Sequence, residues 1–91
     1  MVKHVSSERI KHLLDTCTAH YQKLYGTTTI CQLVMQNGFT IAIGASGCVD
    51  PAKFDAKLGR EYALEDAKKK AEDKLWEFEG YRLAMELRPI K

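Results

Sequence analysis

The residues in this 91-residue chain best suited to metal or thiol chemistry are three cysteines and three histidines. Cys17-Thr-Ala-His20 has the i,i+3 spacing of half a metal site on a helix. A structural zinc site normally takes four ligands in two local pairs. His4, His12, Cys31 and Cys48 are scattered and form no second pair. The plainer reading makes Cys17 and Cys31 small buried hydrophobes and His20 a surface residue. Cys48 stands in a loop beside a helix start, where a thiol could act as a nucleophile. A reactive thiolate needs a positive setting, and Asp50 works against one. No phosphate loop, hydrolase elbow or dinucleotide fingerprint occurs. Neither a catalytic residue, nor a metal site, nor a cofactor is assigned, and the chain reads as a non-enzyme.

Binding chemistry is easier to place. Gly44, Ser46 and Gly47 form a small-residue loop leading to a helix start at Asp50, and such a loop offers backbone amides to a phosphate. The Asp50 carboxylate partly neutralises that site. Lys68, Lys69 and Lys70, with Arg60 and Lys74, could touch phosphates. Glu65, Asp66, Glu72 and Asp73 interleave with them, which is the mark of a solvated helix face. The formal net charge of +2 gives little reason to expect nucleic acid or an anionic membrane as partner. Trp76, Phe78 and Tyr81 belong to the core or, failing that, to a partner interface, where such side chains are enriched. The candidate ligand- or partner-binding residues are therefore Gly44, Ser46, Gly47, Asp50, Phe54, Arg60, Trp76, Glu79 and Tyr81.

The elements that must position these residues follow from caps and periodicity. Residues 1–5 form a lead-in. Ser6 is suited to cap a first helix, with Val5 and Ile10 as a hydrophobic staple around it. Ile10, Leu13, Leu14, Cys17, Tyr21 and Leu24 recur at helical spacing, and Gly26 suits a C-terminal cap. The spacing predicts a helix over 7–25. Two β-rich runs then flank Asn37-Gly38, the dipeptide that favours a two-residue type I′ turn. In that register Gln36 faces Phe39, Val34 faces Ile41 and Gln32 faces Ile43. Asp50-Pro51 opens a long helix, with Val49 and Phe54 as its staple. Phe54, Leu58, Tyr62, Ala63, Ala67, Ala71 and Leu75 form its apolar side. Glu65–Lys69, Asp66–Lys70 and Lys69–Asp73 are ion pairs at i,i+4 on its wet side. Gly59 marks a kink or a close contact, and Gly80 separates a short C-terminal helix over the alternating stretch 81–88.

The expected fold is α+β, one domain over 1–91, in the order α-β-β-α-α: helix, two-stranded antiparallel hairpin, long helix, short helix. Both hairpin faces are apolar and one strand edge is open. A homodimer is therefore expected through Ile30, Val34, Phe39, Ile41 and Ile43. No apolar run reaches membrane-span length and no secretory segment opens the chain. The odd cysteine count reads as reduced thiols in a cytosol.

Beyond these local patterns, Asn37-Gly38-Phe39, Gly44, Ser46, Cys48, Pro51, Phe54-Asp55 and Gly59, then Ala63, Asp66-Ala67, Trp76, Glu79-Gly80-Tyr81 and Leu83, stand in a distinctive order. Over about 27–87 the chain resembles a family of small tailed-phage proteins without an assigned activity. The family is named after gene product forty-nine of the N-four phage and gene product sixty-six of an Sf-type phage. Gly47 and Asp50 depart from its pattern, and the stretch from Gly59 to Trp76 is about one helical turn longer. The resemblance implies a phage accessory protein in the host cytoplasm. With no catalytic set, the expected action is stoichiometric binding of a host bacterial protein, for host takeover or anti-defence. The alternative is a sponge that sequesters a cyclic nucleotide second messenger, and nucleic-acid binding by the long helix ranks below both.

Overall fold

The computed structural model describes residues 4–91, so residues 1–3 of the expected lead-in lie outside the described residues. The element order is α1 (Ser7–Asp15), β1 (Thr18–Lys23), β2 (Thr29–Val34), β3 (Thr40–Ser46), a 3₁₀ turn (Pro51–Lys53) and α2 (Ala56–Leu87). The class is α+β as expected, with a three-stranded antiparallel sheet in the order β1-β2-β3 where a two-stranded hairpin was predicted.

The third strand comes out of the predicted first helix. Ser6 does cap α1, its hydroxyl accepting from the Arg9 amide at 3.1 Å. The helix stops at Thr16, whose hydroxyl donates to the His12 carbonyl at 2.9 Å. Thr16, Cys17, Thr18, His20 and Tyr21 are all weak helix formers. As a strand, residues 18–23 gain a six-residue ladder, from Thr18 opposite Val34 to Lys23 opposite Thr29. The apolar spacing of Tyr21 and Leu24 suits a helix by coincidence, and both side chains are exposed. Gly26, with φ +76°, serves the β1–β2 turn rather than a helix end.

At the β2–β3 connection the loop has three residues. Met35 and Phe39 pair across it (Met35 N to Phe39 O, 2.8 Å), and Gly38 N donates to Met35 O at 2.9 Å. Gly38 alone takes positive φ, at +89°, so the turn is an ordinary one closed by a left-handed glycine, in place of the I′ turn. This sets Val34 opposite Thr40, and an irregularity between Leu33 and Val34 restores Gln32 opposite Ile43. Ile41 is the extra residue. It and Ala42 are consecutive yet both buried, because a bulge re-aims one side chain. Ile41 is thus core and cannot belong to a dimer interface as expected.

Val34 and Ile30, with Ile43 at 53% exposure, lie on the sheet face away from α2. By strand alternation, β1 adds Thr18, His20 and Gln22 to that face, and the Gln32 side chain donates to the Thr40 hydroxyl at 2.8 Å. The face that looked wholly apolar as a hairpin is therefore mixed.

On the other face α2 packs against β2 and β3, and α1 packs on α2. Ala63, Ala67, Ala71 and Leu75 make its buried seam, joined by Ile10, Cys31, Leu33, Ile41 and Ala42. Leu58 and Tyr62, expected in that seam, are exposed at 43% and 57%. Gly44 lies so close under α2 that a Cβ there would sit 2.3 Å from the Ala63 carbonyl oxygen and the Ala67 nitrogen. Asp50 caps only the 3₁₀ turn, through the Ala52 amide at 3.0 Å. Asp55 caps α2, accepting from Lys57 N at 2.9 Å and Leu58 N at 3.3 Å. No break occurs at Gly80: α2 is one 32-residue helix that absorbs the predicted short C-terminal one. Its residues are mostly strong helix formers, which carry a single glycine at a cost of about 1 kcal/mol.

Candidate functional site

Where β3 runs into α2, the chain turns through small and polar residues that tie themselves together. Ser46 donates its hydroxyl to the Gly59 carbonyl at 2.6 Å. Thr27 and Cys48 bond reciprocally, the Thr27 hydroxyl donating to the Cys48 carbonyl and the Cys48 amide donating to the Thr27 oxygen at 3.2 Å. The Cys48 thiol donates to the Asp50 carbonyl at 3.1 Å. These bonds tie the start of the 46–50 loop to the first turn of α2 and fix its course, and a cavity of about 320 Å³ lies between the rest of the loop and the helix. That volume lies at the small end of ligand pockets.

Val49, Phe54, Leu58 and Tyr62 give the cavity apolar walls. Val49 is fully exposed and forms no staple with Phe54. Lys53 and Asp55 supply one charge of each sign. The Phe54 ring carries the Lys23 ammonium 5.2 Å from its centroid, a cation–π contact. Gly59 lets α2 start close to β2, since a Cβ there would lie 2.8 Å from the Thr29 hydroxyl.

Of the residues singled out from the sequence, the structure brings Ser46, Gly47 and Phe54 together in this cavity. Gly44 is buried beneath α2, and Asp50 and Arg60 are exposed outside the cavity walls. Trp76, Glu79 and Tyr81 lie some 25–33 Å further along α2, at 1.5 Å per residue. Thr27, Cys48, Val49, Lys53, Asp55, Leu58, Gly59 and Tyr62 complete the lining and were not among the candidate binding residues. Asp55 carried a signal, as an N-cap type directly before a run of helix formers.

The far half of α2 has its own polar lock. Arg9 Nε meets Glu79 Oε1 at 2.9 Å, Arg82 Nε meets Glu79 Oε2 at 3.2 Å, and Arg82 reaches Glu86 at 3.1 Å. Burial pushes the Glu79 carboxyl upward, but the two guanidinium hydrogen bonds outweigh it and hold it below the usual glutamate value. Trp76, Phe78 and Tyr81 are 38%, 45% and 61% exposed, so they are not core residues. Phe78 meets Phe39 edge-on at 6.0 Å between centroids.

Thiol chemistry gains nothing from the geometry. Burial raises the Cys17 and Cys31 thiols above the usual cysteine value, the direction that disfavours a thiolate. Cys17 and His20 share no helix, and among the described residues no three His, Cys, Asp or Glu side chains converge as metal ligands.

The motif positions from Ser46 to Gly59 fall at this corner, as strand end, loop, 3₁₀ turn, cap or cavity wall, and Gly44 lies beside it under α2. The model of the Phage protein (N4 Gp49/phage Sf6 gene 66) family matches residues 3–87. The chain belongs to that family. Within the N4 Gp49/Sf6 gene 66 family match lie α1 and β1 as well as the motif region over 27–87, so the likeness spans the whole sheet and both helices. No curated protein and no solved structure matches the chain. Among the described residues no helix is long and apolar enough to cross a membrane.

Proposed function

We propose that this phage protein is an accessory factor of the infected host cytoplasm. It acts by stoichiometric binding, without a chemical step, and its target is a host protein that inserts an apolar side chain into the cavity between the 46–50 loop and α2. One observation carries this reading: the corner's hydroxyls and the first amides of α2 are already bonded within the chain, while the cavity's apolar walls stand open. Ser46, Thr27 and the Cys48 amide bond within the corner, and Asp55 occupies the first amides of α2. An anion would meet the Asp55 carboxylate at the helix start, with Lys53 as the one cation among the lining residues. Val49, Leu58 and Tyr62 offer exposed apolar surface for a partner to cover. The cyclic-nucleotide sponge fits this chemistry less well.

The test couples affinity capture from host lysate to a point variant. A single host protein retained in stoichiometric amount by the natural chain, and lost with Val49→Asp, supports the reading once the purified pair reproduces it by titration calorimetry. A thermal-shift screen with cyclic di- and trinucleotides addresses the alternative. A melting temperature raised by one of them, and not raised in Val49→Asp, would replace the protein partner with a small ligand.

A further inference from the structure

α2 turns only one side inward. Ala63, Ala67, Ala71 and Leu75 are its buried positions. On the opposite side, at 100° per residue, Leu58, Tyr62, Glu65, Lys69, Glu72, Trp76, Gly80, Leu83 and Leu87 follow one another, with Leu83 half-buried where the line passes the start of α1. Their spacings of three and four residues are those of a coiled-coil seam with a single four-for-three step. The two ends of this line are apolar, with Leu58 43%, Tyr62 57%, Trp76 38% and Leu87 57% exposed. A Cβ added at Gly80 would find no atom of the described residues within 4 Å, so none of them covers that point of the helix.

The middle of the line is charged, and its order is the informative part. On the line itself Lys69 precedes Ala71 and Glu72 follows it, with Lys68 and Asp73 flanking it on either side. Two of the intrahelical pairs that the spacing allows, Glu65–Lys69 and Lys69–Asp73, do not close; Lys70–Asp66 does, at 2.8 Å. Lys68, Lys69, Glu72 and Asp73 are all exposed and outside the ion pairs formed among the described residues.

A basic step followed by an acidic step is its own complement when read backwards. We infer that a second copy of this chain docks antiparallel along the outer face of α2, about a twofold axis near Ala71. That arrangement sets Lys68 and Lys69 of each copy against Glu72 and Asp73 of the other. It brings Leu58 and Tyr62 onto the second copy's Leu83 and Gly80, where the missing side chain admits a tyrosine ring. A parallel pairing would instead stack lysine on lysine and carboxylate on carboxylate, so the charges select both the partner and its direction. Each contact occurs twice, as an isologous interface requires. α2 is about 48 Å long at 1.5 Å per residue, in a molecule of 57 × 25 × 20 Å, so the interface runs along the long side. Leu58 and Tyr62 also wall the cavity of the proposed function, and the second copy's Leu83 and Leu87 then come to its rim.

Charge exchange tests this directly, with light scattering after size exclusion across a micromolar dilution series. The natural chain gives the mass of two chains. Lys68→Glu with Lys69→Glu puts acids on both sides of the axis near Ala71, and Glu72→Lys with Asp73→Lys puts bases on both sides. Each variant alone runs as one chain, its dissociation constant raised at least about a hundredfold. Mixed one to one, they recover the two-chain mass. Circular dichroism at 222 nm confirms that each is folded, and the single Lys69→Glu variant serves if a double one is not. A natural chain that stays monomeric over the series overturns the inference. So does a two-chain mass that survives both charge variants, which would move the interface to another surface such as the sheet face of Ile30, Val34 and Ile43. Val49→Asp reads the cavity separately: Val49 takes no part in the seam, so that variant loses the host partner and keeps the two-chain mass.

Discussion

Replacing Gly44 by alanine tests the packing of α2 on the sheet more sharply than any truncation. In a strand the substitution should help, since glycine gives up about 0.5–1 kcal/mol relative to alanine. Here the new methyl would lie 2.3 Å from the Ala63 oxygen and the Ala67 nitrogen, and 2.7 Å from the Ala67 Cα. All three are backbone atoms of a helix and cannot rotate away. To reach an ordinary contact α2 must retreat by roughly 1 Å, a gap that forfeits a quarter to a half of the dispersion energy along the seam. Burial of Leu75 alone contributes about 1.5–3 kcal/mol, and Ala63, Ala67 and Ala71 loosen with it. Adding the usual overpacking cost of about 1–3 kcal/mol gives a net loss of roughly 3 kcal/mol. A domain of this size has about 3–5 kcal/mol to lose. Urea unfolding followed by circular dichroism reads the change, with Gly47→Ala as control, since no atom lies within 4 Å of its added Cβ. Gly47→Ala should stay within about 0.5 kcal/mol of the natural chain. If Gly44→Ala does the same, the close approach of α2 to β3 is wrong.

Asp55→Ala should destabilise by about 1 kcal/mol through loss of the α2 cap, whereas Asp50→Ala, capping a single 3₁₀ turn, should cost less; urea midpoints compare them. Gly38→Ala forces a side chain into φ +89° and should cost about 1–2 kcal/mol by the same assay. The lowered pKa of Glu79 means that its ion pairs stabilise the fold above the ordinary glutamate range, and that this contribution is lost as pH falls through the depressed value. Melting temperatures of the natural chain and Glu79→Gln should therefore differ near neutrality and converge as pH falls below the ordinary glutamate range. A gap unchanged over that fall in pH would show that the Arg9–Glu79–Arg82 lock does not bear on stability.

Much of this fold can be read from local chemistry. The Ser6 cap, the Asn37-Gly38 turn and the helix through 60–74 each follow from residues within a few positions of one another. β1 could not be read that way. Tyr21 and Leu24 fall at helical spacing, and what makes residues 18–23 a strand is a ladder to β2 that no local pattern reveals. The bulge at Ile41 is likewise a property of pairing, arising between a three-residue loop and the register imposed further down the hairpin. Gly80 misled because it breaks a pattern without breaking a helix whose neighbours favour helix strongly. At the cavity, Ser46, Gly47 and Phe54 were legible as a small-residue loop beside a helix start. Leu58 and Tyr62 were not, because apolar residues at helical spacing look the same whether the chain covers them or leaves them open.

The buried side of α2 behaves like a screw thread. Ala63, Ala67 and Ala71 recur every four residues, so advancing the helix by one turn along the sheet rotates it by only about 40° and presents another small side chain to Gly44. Shape alone therefore distinguishes poorly between the observed seating and one slipped by a turn. Three features pin it: the Ser46 hydroxyl on the Gly59 carbonyl, the Asp66 carboxylate on the Ala45 amide at 3.0 Å, and Leu75, the one large side chain on the thread. Ser46 and Gly59 also line the cavity. The same hydrogen bond that shapes the binding corner thus stops the helix from turning on its thread.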